Sequence, residues 1–132
     1  MPFIRITVCG PPLTSEQVIA LRTGTTEMMM SIMRKQRQGI AVDVERLEHA
    51  AWSIAGTPVG VAAHVDVVIG VGTNTAEEKS SCMAQMMALL RAVLGPELRE
   101  ETYIVFHELD ARNYGRGGVT RAERDRQHHA GS

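Results

Sequence analysis

The stretch Met1-Pro2-Phe3-Ile4-Arg5-Ile6-Thr7-Val8 decides the fold of this chain. From Phe3 onward, apolar and polar residues alternate, as they do along a strand with one buried face. Pro2 has no N–H to donate to a sheet, so it fits only at the first position of such a strand. An ordinary start codon followed by a strand would explain the same pattern.

The dipeptide Met1-Pro2 also has a chemical interpretation. Small residues such as proline favour removal of Met1, which would leave Pro2 as a secondary amine fixed at the edge of a sheet. Burial disfavours the charged form of an amine, so this group can be a general base near neutral pH. We therefore expect Met1 to be absent from the active protein and Pro2 to be its catalytic residue.

Length and composition narrow the function classes. A chain of 132 residues suits one domain, and a net charge of −1 argues against a nucleic-acid or membrane-surface partner. Cys9 and Cys82 share no metal-like or redox spacing, so we expect buried thiols, a reducing compartment and neither metal nor cofactor. The chain has no signal peptide and no apolar run of about 18 residues. We expect a cytoplasmic protein.

The same pattern occurs twice along the chain. A strand, a helix with a capping box and a second strand occupy repeat 1 (2–62), and the same series occupies repeat 2 (63–126). Thr14 and Thr75 are the predicted N-caps of the two helices, each with Gln or Glu three residues later. Sliding one repeat onto the other places Ala63 where Pro2 stands, so the second repeat lacks the amine. The charged end from Thr120, including the tail 127–132, is expected to fray.

These two βαβ units predict an α/β (α+β) fold: a four-stranded mixed sheet with both helices on one face. The other face would carry Arg5, Thr7, Asp43 and Asp66 beside apolar residues. Because a sheet face of this mixed kind usually needs a partner, we expect an oligomer. The basic run 34–37 is expected at the end of the first helix, where cations complement the helix dipole.

The repeat and the amino-terminal proline together resemble the tautomerase superfamily. The second half is similar to the 4-oxalocrotonate tautomerase repeat from His64 to Arg126. The sequence NYGRGG (113–118) resembles the "YGR" and "FGRG" turns of cis-3-chloroacrylic acid dehalogenase and malonate semialdehyde decarboxylase. IAV (40–42), preceded by Lys35, is similar to macrophage migration inhibitory factor. The resemblance implies a tautomerase/MIF-like fold and a homotrimer. Three chains with two βαβ units each would then form a pseudo-sixfold ring around a central barrel.

The resemblance also implies roles for individual residues. Pro2 matches the catalytic proline, and Lys35 matches a lysine that holds substrate in the migration-factor branch. Ile69 matches a backbone contact of that branch, and Tyr103 matches a tyrosine lent by a neighbouring subunit. Trp52 matches an aromatic wall near the proline of 4-oxalocrotonate tautomerase, although a lone Trp is also a common packing anchor.

The glycine-rich turn adds Tyr114 and Arg116 as candidate substrate-binding residues. Tyr114 occupies the place in the second repeat that Trp52 occupies in the first. Arg116 stands between glycines, so its backbone can approach a ligand, and its planar fork can hold a carboxylate with two hydrogen bonds. Lys35 and Arg116 are thus alternative anchors for a carboxylate, although either can be an ordinary solvated cation.

Several arginines of the family are missing. 4-Oxalocrotonate tautomerase has arginines at positions that match the turn Gly10–Leu13 and Ala41. The dehalogenase and the decarboxylase have two arginines before their second helix, where this chain has the turn 70–74 without arginine. The dehalogenase glutamate that activates water falls on Asn113, and an amide is not a base at neutral pH. The decarboxylase aspartate falls among residues 36–38, which contain none.

These observations favour a keto–enol tautomerase of small 2-oxo or enol carboxylic acids. Two lyase-like alternatives remain open: a hydratase or dehalogenase of the cis-3-chloroacrylic type using other residues, and a malonate semialdehyde decarboxylase. A non-catalytic trimeric interaction protein is a further alternative, and a retained Met1 would favour it because Pro2 would then be an amide. A ferredoxin-like RNA-binding domain also has a βαββαβ order, but it needs stacking aromatics and a basic surface.

Overall fold

The computed structural model describes residues 1–130. It contains eight strands and three helices, together with two short 3₁₀ turns at Arg37–Gly39 and His49–Ala51. The strands are β1 (Phe3–Cys9), β2 (Ala41–Leu47), β3 (Ser53–Ile54), β4 (Thr57–Pro58), β5 (Ala62–Gly70), β6 (Tyr103–Leu109), β7 (Gly115–Arg116) and β8 (Val119–Thr120). The helices are α1 (Ser15–Ser31), α2 (Ala76–Leu94) and α3 (Arg121–Ala130).

The main sheet has the predicted mixed topology. Its strand order is β2-β1-β5-β6. β1 is parallel to β2, β5 is parallel to β6, and the two pairs meet along the antiparallel strands β1 and β5. Each parallel pair is joined through a helix, as a right-handed βαβ unit requires. Two small hairpins, β3–β4 and β7–β8, follow β2 and β6 at corresponding places. The fold class predicted from the sequence is confirmed.

Both main helices begin as their capping boxes predict. The Thr14 hydroxyl accepts a hydrogen bond from the Gln17 backbone N–H, and the Gln17 side chain accepts one from Thr14 N–H. Thr75 and Glu78 repeat the arrangement at the start of α2. Each box satisfies two helix N–H groups that have no partner within the helix.

The core lies between the sheet and α1 and α2. Alternate residues of β1 and β5 point toward the helices and are fully buried, as strand periodicity requires. Burying each such side chain contributes about 1.5–3 kcal/mol. The fully buried residues from sheet and helices include Ile4, Ile6, Val65, Val67, Ile69, Leu21, Met29, Met86 and Leu90. Cys9 and Cys82 are buried free thiols, as predicted.

The opposite face of the sheet carries the predicted polar residues. Arg5 Nε donates to Asp43 Oδ2 over 3.2 Å. Asp66 Oδ1 lies 2.7 Å from His107 Nε2 and 3.2 Å from His64 Nε2. Burial of Asp66 favours its neutral form, but the hydrogen bonds from His107 and His64 outweigh burial and lower the pKa. The charges on this face are therefore largely paired within one chain.

Two sequence predictions about the helices are wrong. α1 ends at Ser31 rather than in the basic run 34–37, because the chain closes the helix with a hydrogen bond from Lys35 N–H to the Met29 carbonyl. The end of the chain is not frayed over residues 121–130, which form α3; the last two residues of the predicted tail lie outside the described residues. The repeat boundaries 2–62 and 63–126 stay a prediction. Within residues 1–130, no helix is long and apolar enough to cross a membrane.

Candidate active site

A cavity of about 550 Å³ opens where β1 begins and β5 ends. This volume is in the range of small-molecule sites. Met1 lines the cavity, and Pro2 is buried next to it, with its carbonyl accepting a hydrogen bond from Ala41 N–H at 3.1 Å. The sheet register fixes this position, because Phe3 pairs with Ala41 on one side and Val68 on the other. The amino terminus is thus held at the cavity by the central strand.

The amino-terminal amine has an unusual environment. In the full chain the amine belongs to Met1 and the Pro2 nitrogen is an amide. Burial lowers the pKa of the Met1 amine, and the positive charges of Arg116, Arg121 and Lys35 lower it further. All four effects favour the neutral form, which is the form that can accept a proton. The protein therefore makes this corner of the cavity suitable for a base.

Lys35 lies in the cavity, at the turn after α1. Its Nζ donates a hydrogen bond to Thr73 Oγ1 over 3.0 Å, and that hydroxyl donates to the Gly70 carbonyl over 2.7 Å. Burial lowers the pKa of Lys35, and the nearby Arg34 adds to the shift. The predicted cation is present, but it already has one protein partner.

Arg116 lies in the β7–β8 hairpin and faces the amine. A Cβ built on Gly39 would lie 3.5 Å from the Met1 amine nitrogen and 3.9 Å from Arg116 Nη1. The two groups therefore lie on the same side of Gly39. Among residues 1–130, no group accepts a hydrogen bond from the Arg116 guanidinium, while the Arg116 carbonyl accepts one from Arg124 Nη2 over 2.9 Å. The backbone of Arg116 is therefore held in place, and its guanidinium is available to bind an anion.

The glycines around Arg116 shape the hairpin. A Cβ on Gly115 would overlap with the Val119 carbonyl, so only glycine fits there. Gly117 and Gly118 have φ values of 61° and 81°, in the left-handed region that favours glycine. The sequence predicted close approach of this turn to a ligand; the structure shows close approach of its two strands to each other.

Tyr114 and Ile69 complete the predicted part of the site. Ile69 is fully buried at the end of β5 and lines the cavity. The Tyr114 ring lies beside Gly70 and Thr73. The Tyr114 backbone carbonyl accepts a hydrogen bond from Arg121 N–H over 2.9 Å. The cavity thus combines the predicted Lys35, Ile69, Tyr114 and Arg116 with the amino terminus.

Sequence reasoning missed two residues of α3 that line the cavity, Arg121 and Asp125. Arg121 Nε donates to Asp125 Oδ1 over 2.9 Å. A signal for this helix was present, because Thr120-Arg121-Ala122-Glu123 has the spacing of a capping box. Thr120 Oγ1 indeed accepts a hydrogen bond from Glu123 N–H over 3.1 Å.

Trp52 and Tyr103 are not brought to this cavity within one chain. Trp52 packs against Cys9, Val59 and Ala62, at the opposite end of β1 from Pro2. Its neighbour Ala62 directly precedes Ala63, the counterpart of Pro2. Tyr103 begins β6 opposite His64 and is 67% exposed.

Solved structures with the same fold cover nearly the whole chain. Pt0534, inactivated by 2-oxo-3-pentynoate, superposes with a TM-score of 0.81 and 16% identity over 91% of this chain and 97% of its own. A fused 4-OT, solved as a symmetric trimer, gives 0.82 and 14% identity over 92% and 98%. A macrophage migration inhibitory factor-like protein from Entamoeba histolytica gives 0.75 and 17% identity over 90% and 97%.

These likenesses show the fold. No family model matches the chain, and no curated protein matches it in sequence. The chain has the tautomerase-superfamily fold that its repeat and its amino-terminal proline predicted.

Proposed function

We propose that this chain, which has the tautomerase-superfamily fold, is a keto–enol tautomerase of small 2-oxo acids once Met1 is removed. The observation that carries the proposal is a half-buried amino-terminal amine surrounded by Lys35, Arg116 and Arg121. An amine held neutral by its surroundings is a base, and nearby cations attract a carboxylate substrate. Both requirements of the reaction therefore meet in one cavity.

Loss of Met1 would transfer this environment to Pro2. The Pro2 nitrogen would become a secondary amine, and Pro2 is already buried beside the same cations. An α-amino group ordinarily has a pKa of about 8. Burial and positive charge would lower this value and favour the neutral amine. The rigid ring keeps its lone pair in one direction.

The reaction needs one proton to be moved. The amine accepts the enol O–H proton of the substrate while a carbonyl forms at C2, and it then returns a proton to C3. Arg116 binds the substrate carboxylate through two parallel hydrogen bonds, and Lys35 contributes a second positive charge. Proton transfer of this kind contributes about 10²–10⁴-fold, and positioning supplies the rest of the acceleration.

The test is the ketonisation of the enol form of phenylpyruvate, followed by absorbance. The processed chain should be active, and Pro2→Ala should be slower because a primary amine is less rigidly held. A chain that retains Met1 should lose about 10²–10⁴-fold, since the Pro2 nitrogen is then an amide. Full activity with Met1 retained would contradict the proposal and would favour a non-catalytic interaction protein or another base.

One observation favours a second candidate function, addition of water to an unsaturated acid. Asp125 is a carboxylate in the cavity, whereas the position that matches the dehalogenase glutamate carries Asn113. A carboxylate could activate water if a substrate released it from Arg121. Release of chloride from cis-3-chloroacrylate, abolished in Asp125→Asn, would support this function; no release would exclude it.

We further propose a homotrimer. The fused 4-OT of the same fold was solved as a symmetric trimer. In this chain the sheet face that carries Arg5, Asp43 and Asp66 is open, and its charges are paired so that they can be covered with less desolvation cost. A trimer could also bring Tyr103 and Trp52 of one copy toward the cavity of another.

A further inference from the structure

Arg34 has a backbone conformation that side-chain-bearing residues rarely adopt. Its φ is 59°, in the left-handed region. It stands directly before Lys35, at the point where the chain leaves α1. Unfavourable backbone conformations of this kind persist when the surrounding structure fixes them, and they cluster at functional sites.

The left-handed Arg34 redirects the chain in the turn that follows α1 and its C-cap, Ile32. With Arg34 in this conformation, the Lys35 N–H reaches the Met29 carbonyl at 2.9 Å and the Met33 N–H reaches the Met28 carbonyl at 3.4 Å. These bonds span six and five residues, wider than the four of an α-helix, so the chain is already unwound from the helix where it reaches Arg34. The turn places Lys35 in the cavity instead of continuing it along the helix.

The side chain of Arg34 holds this turn against the second half of the chain. Its Nε and Nη2 donate to the two oxygens of Glu78 over 2.5 Å and 3.1 Å, a bidentate contact. Nη2 also donates to the Thr73 carbonyl over 3.1 Å. Glu78 in turn accepts hydrogen bonds from Thr75 N–H and from the Asn74 side chain. The end of α1 is thus tied to the start of α2.

Thr73 connects this contact to the cavity. Its carbonyl accepts from Arg34, and its hydroxyl accepts from Lys35 Nζ over 3.0 Å. Asn74 adds a second tie, since its side-chain amide donates to the Met33 carbonyl over 3.0 Å. Both cations therefore contact Thr73, and Asn74 holds the backbone of the residue that precedes them.

We propose that Arg34 is a positioning residue for Lys35: its contact with Glu78 and Thr73 keeps the end of α1 left-handed and holds the Lys35 ammonium in the cavity. The importance of Lys35 to the reaction rests on the proposed function, but its position does not. The charge of Arg34 also lowers the pKa of Lys35, after the larger effect of burial, while Glu78 acts in the opposite direction.

The chain offers a direct test because it contains two lysines, Lys35 and Lys79. Protein labelled with ¹³C at the lysine ε-carbon gives one signal for each. Lys79 follows Glu78 in α2, but it is paired with Glu108 and does not line the cavity, so it is an internal reference. In Arg34→Ala the Lys35 signal and its titration midpoint should move toward those of an exposed lysine, while the Lys79 signal stays in place.

Arg37→Ala is the matched control. Arg37 belongs to the same basic run, but it pairs with Glu27 and does not line the cavity. It should leave both lysine signals unchanged. Arg34→Gly covers the case in which Arg34→Ala fails to fold, since glycine accepts the left-handed φ and loses only the side chain. An unchanged Lys35 signal in folded Arg34→Ala or Arg34→Gly would overturn the proposal.

Kinetics on the enol of phenylpyruvate add a second readout. Arg34→Ala should raise KM more than it lowers kcat, and in the Lys35→Ala background it should have little further effect. Equal losses in both backgrounds would mean that Arg34 does not act through Lys35. If the protein has no tautomerase activity, the lysine signals still decide whether Arg34 positions Lys35, so the two proposals fail separately.

Discussion

The phenol oxygen of Tyr114 lies over Gly70, so that a Cβ built on Gly70 would be 2.5 Å from it. Gly70 is the last residue of β5, and Tyr114 precedes the hairpin that carries Arg116. The absence of a side chain at Gly70 therefore lets the ring form one wall of the cavity. In the other repeat the counterpart of Gly70 is Cys9, against which Trp52 packs.

This relationship predicts the effect of Gly70→Ala. Because the phenol end can swing away, the protein should still fold, with a loss of at most about 1–3 kcal/mol from overpacking. Displacement of the ring should nevertheless lower kcat/KM for the enol of phenylpyruvate. Gly60→Ala is the control, since a Cβ there meets nothing within 4 Å. Equal kcat/KM in Gly70→Ala and Gly60→Ala would show that the Tyr114 wall is not used.

Arg116 should be the principal carboxylate anchor. Its guanidinium is available, whereas Lys35 is bound to Thr73 and Arg121 to Asp125. Arg116→Ala should lower kcat/KM about 10- to 100-fold, or about 1.5–3 kcal/mol, as expected for a charge-assisted contact. Lys35→Ala should cost less. Steady-state kinetics of both variants on one enol acid make the comparison; the reverse order would identify Lys35 as the anchor.

Arg116 should also set the pH at which activity appears. Its charge helps to lower the pKa of the amino-terminal amine. The reactive form is neutral, so activity rises as pH increases through that pKa. Removing the cation in Arg116→Ala raises the pKa, and the rising limb of the pH–rate profile should move to higher pH. A limb that stays in place, or moves to lower pH, would show that the titrating group is not this amine.

Acid should weaken the contact between Arg34 and Glu78, which joins the end of α1 to the start of α2. Hydrogen bonds from Arg34, Thr75 and Asn74 lower the pKa of Glu78 to about 2 from its ordinary value of 4.5. The folded state therefore favours ionised Glu78, and this stabilisation is present above about pH 4.5 and lost as the pH falls toward 2. Urea unfolding of wild type and Glu78→Gln at pH 7 and pH 3 should show a smaller difference between them at pH 3. A difference that grows in acid would refute this assignment.

A trimer predicts that active sites are shared between copies. The native mass should be that of three chains, and Tyr103→Ala should lower activity although Tyr103 lies away from the cavity of its own chain. Mixing refolded Pro2→Ala and Tyr103→Ala chains should restore part of the activity, because some cavities then combine two intact residues. A native mass of one chain at micromolar concentration would contradict the trimer.

Much of the architecture was predictable from local patterns. Alternation in β1 and the capping boxes at Thr14 and Thr75 have direct physical consequences, and these elements lie where they were expected. The repeat then determined the sheet, since two βαβ units can bury their apolar faces only side by side.

The rest of the site depends on contacts that local patterns do not reveal. Nothing next to Arg34 in the sequence predicts a left-handed residue, and its partner Glu78 is 44 residues away along the chain. The basic run 34–37 by itself predicts a helix end, because cations are usual there. In the segment that carries Arg121 and Asp125 two patterns compete: its high charge predicts fraying, whereas the capping pattern at Thr120 predicts the helix that forms.

The central claim is that the processed amino-terminal Pro2 is the base, and covalent labelling tests it most directly. The purified chain would be incubated with 2-oxo-3-pentynoate, the compound that inactivates Pt0534, and the modified peptide would be identified by mass spectrometry. We predict a chain that begins at Pro2, one adduct per chain on the Pro2 nitrogen, and loss of activity in parallel with labelling. An adduct on another residue, or an active chain that retains Met1 and is not labelled at Pro2, would contradict it.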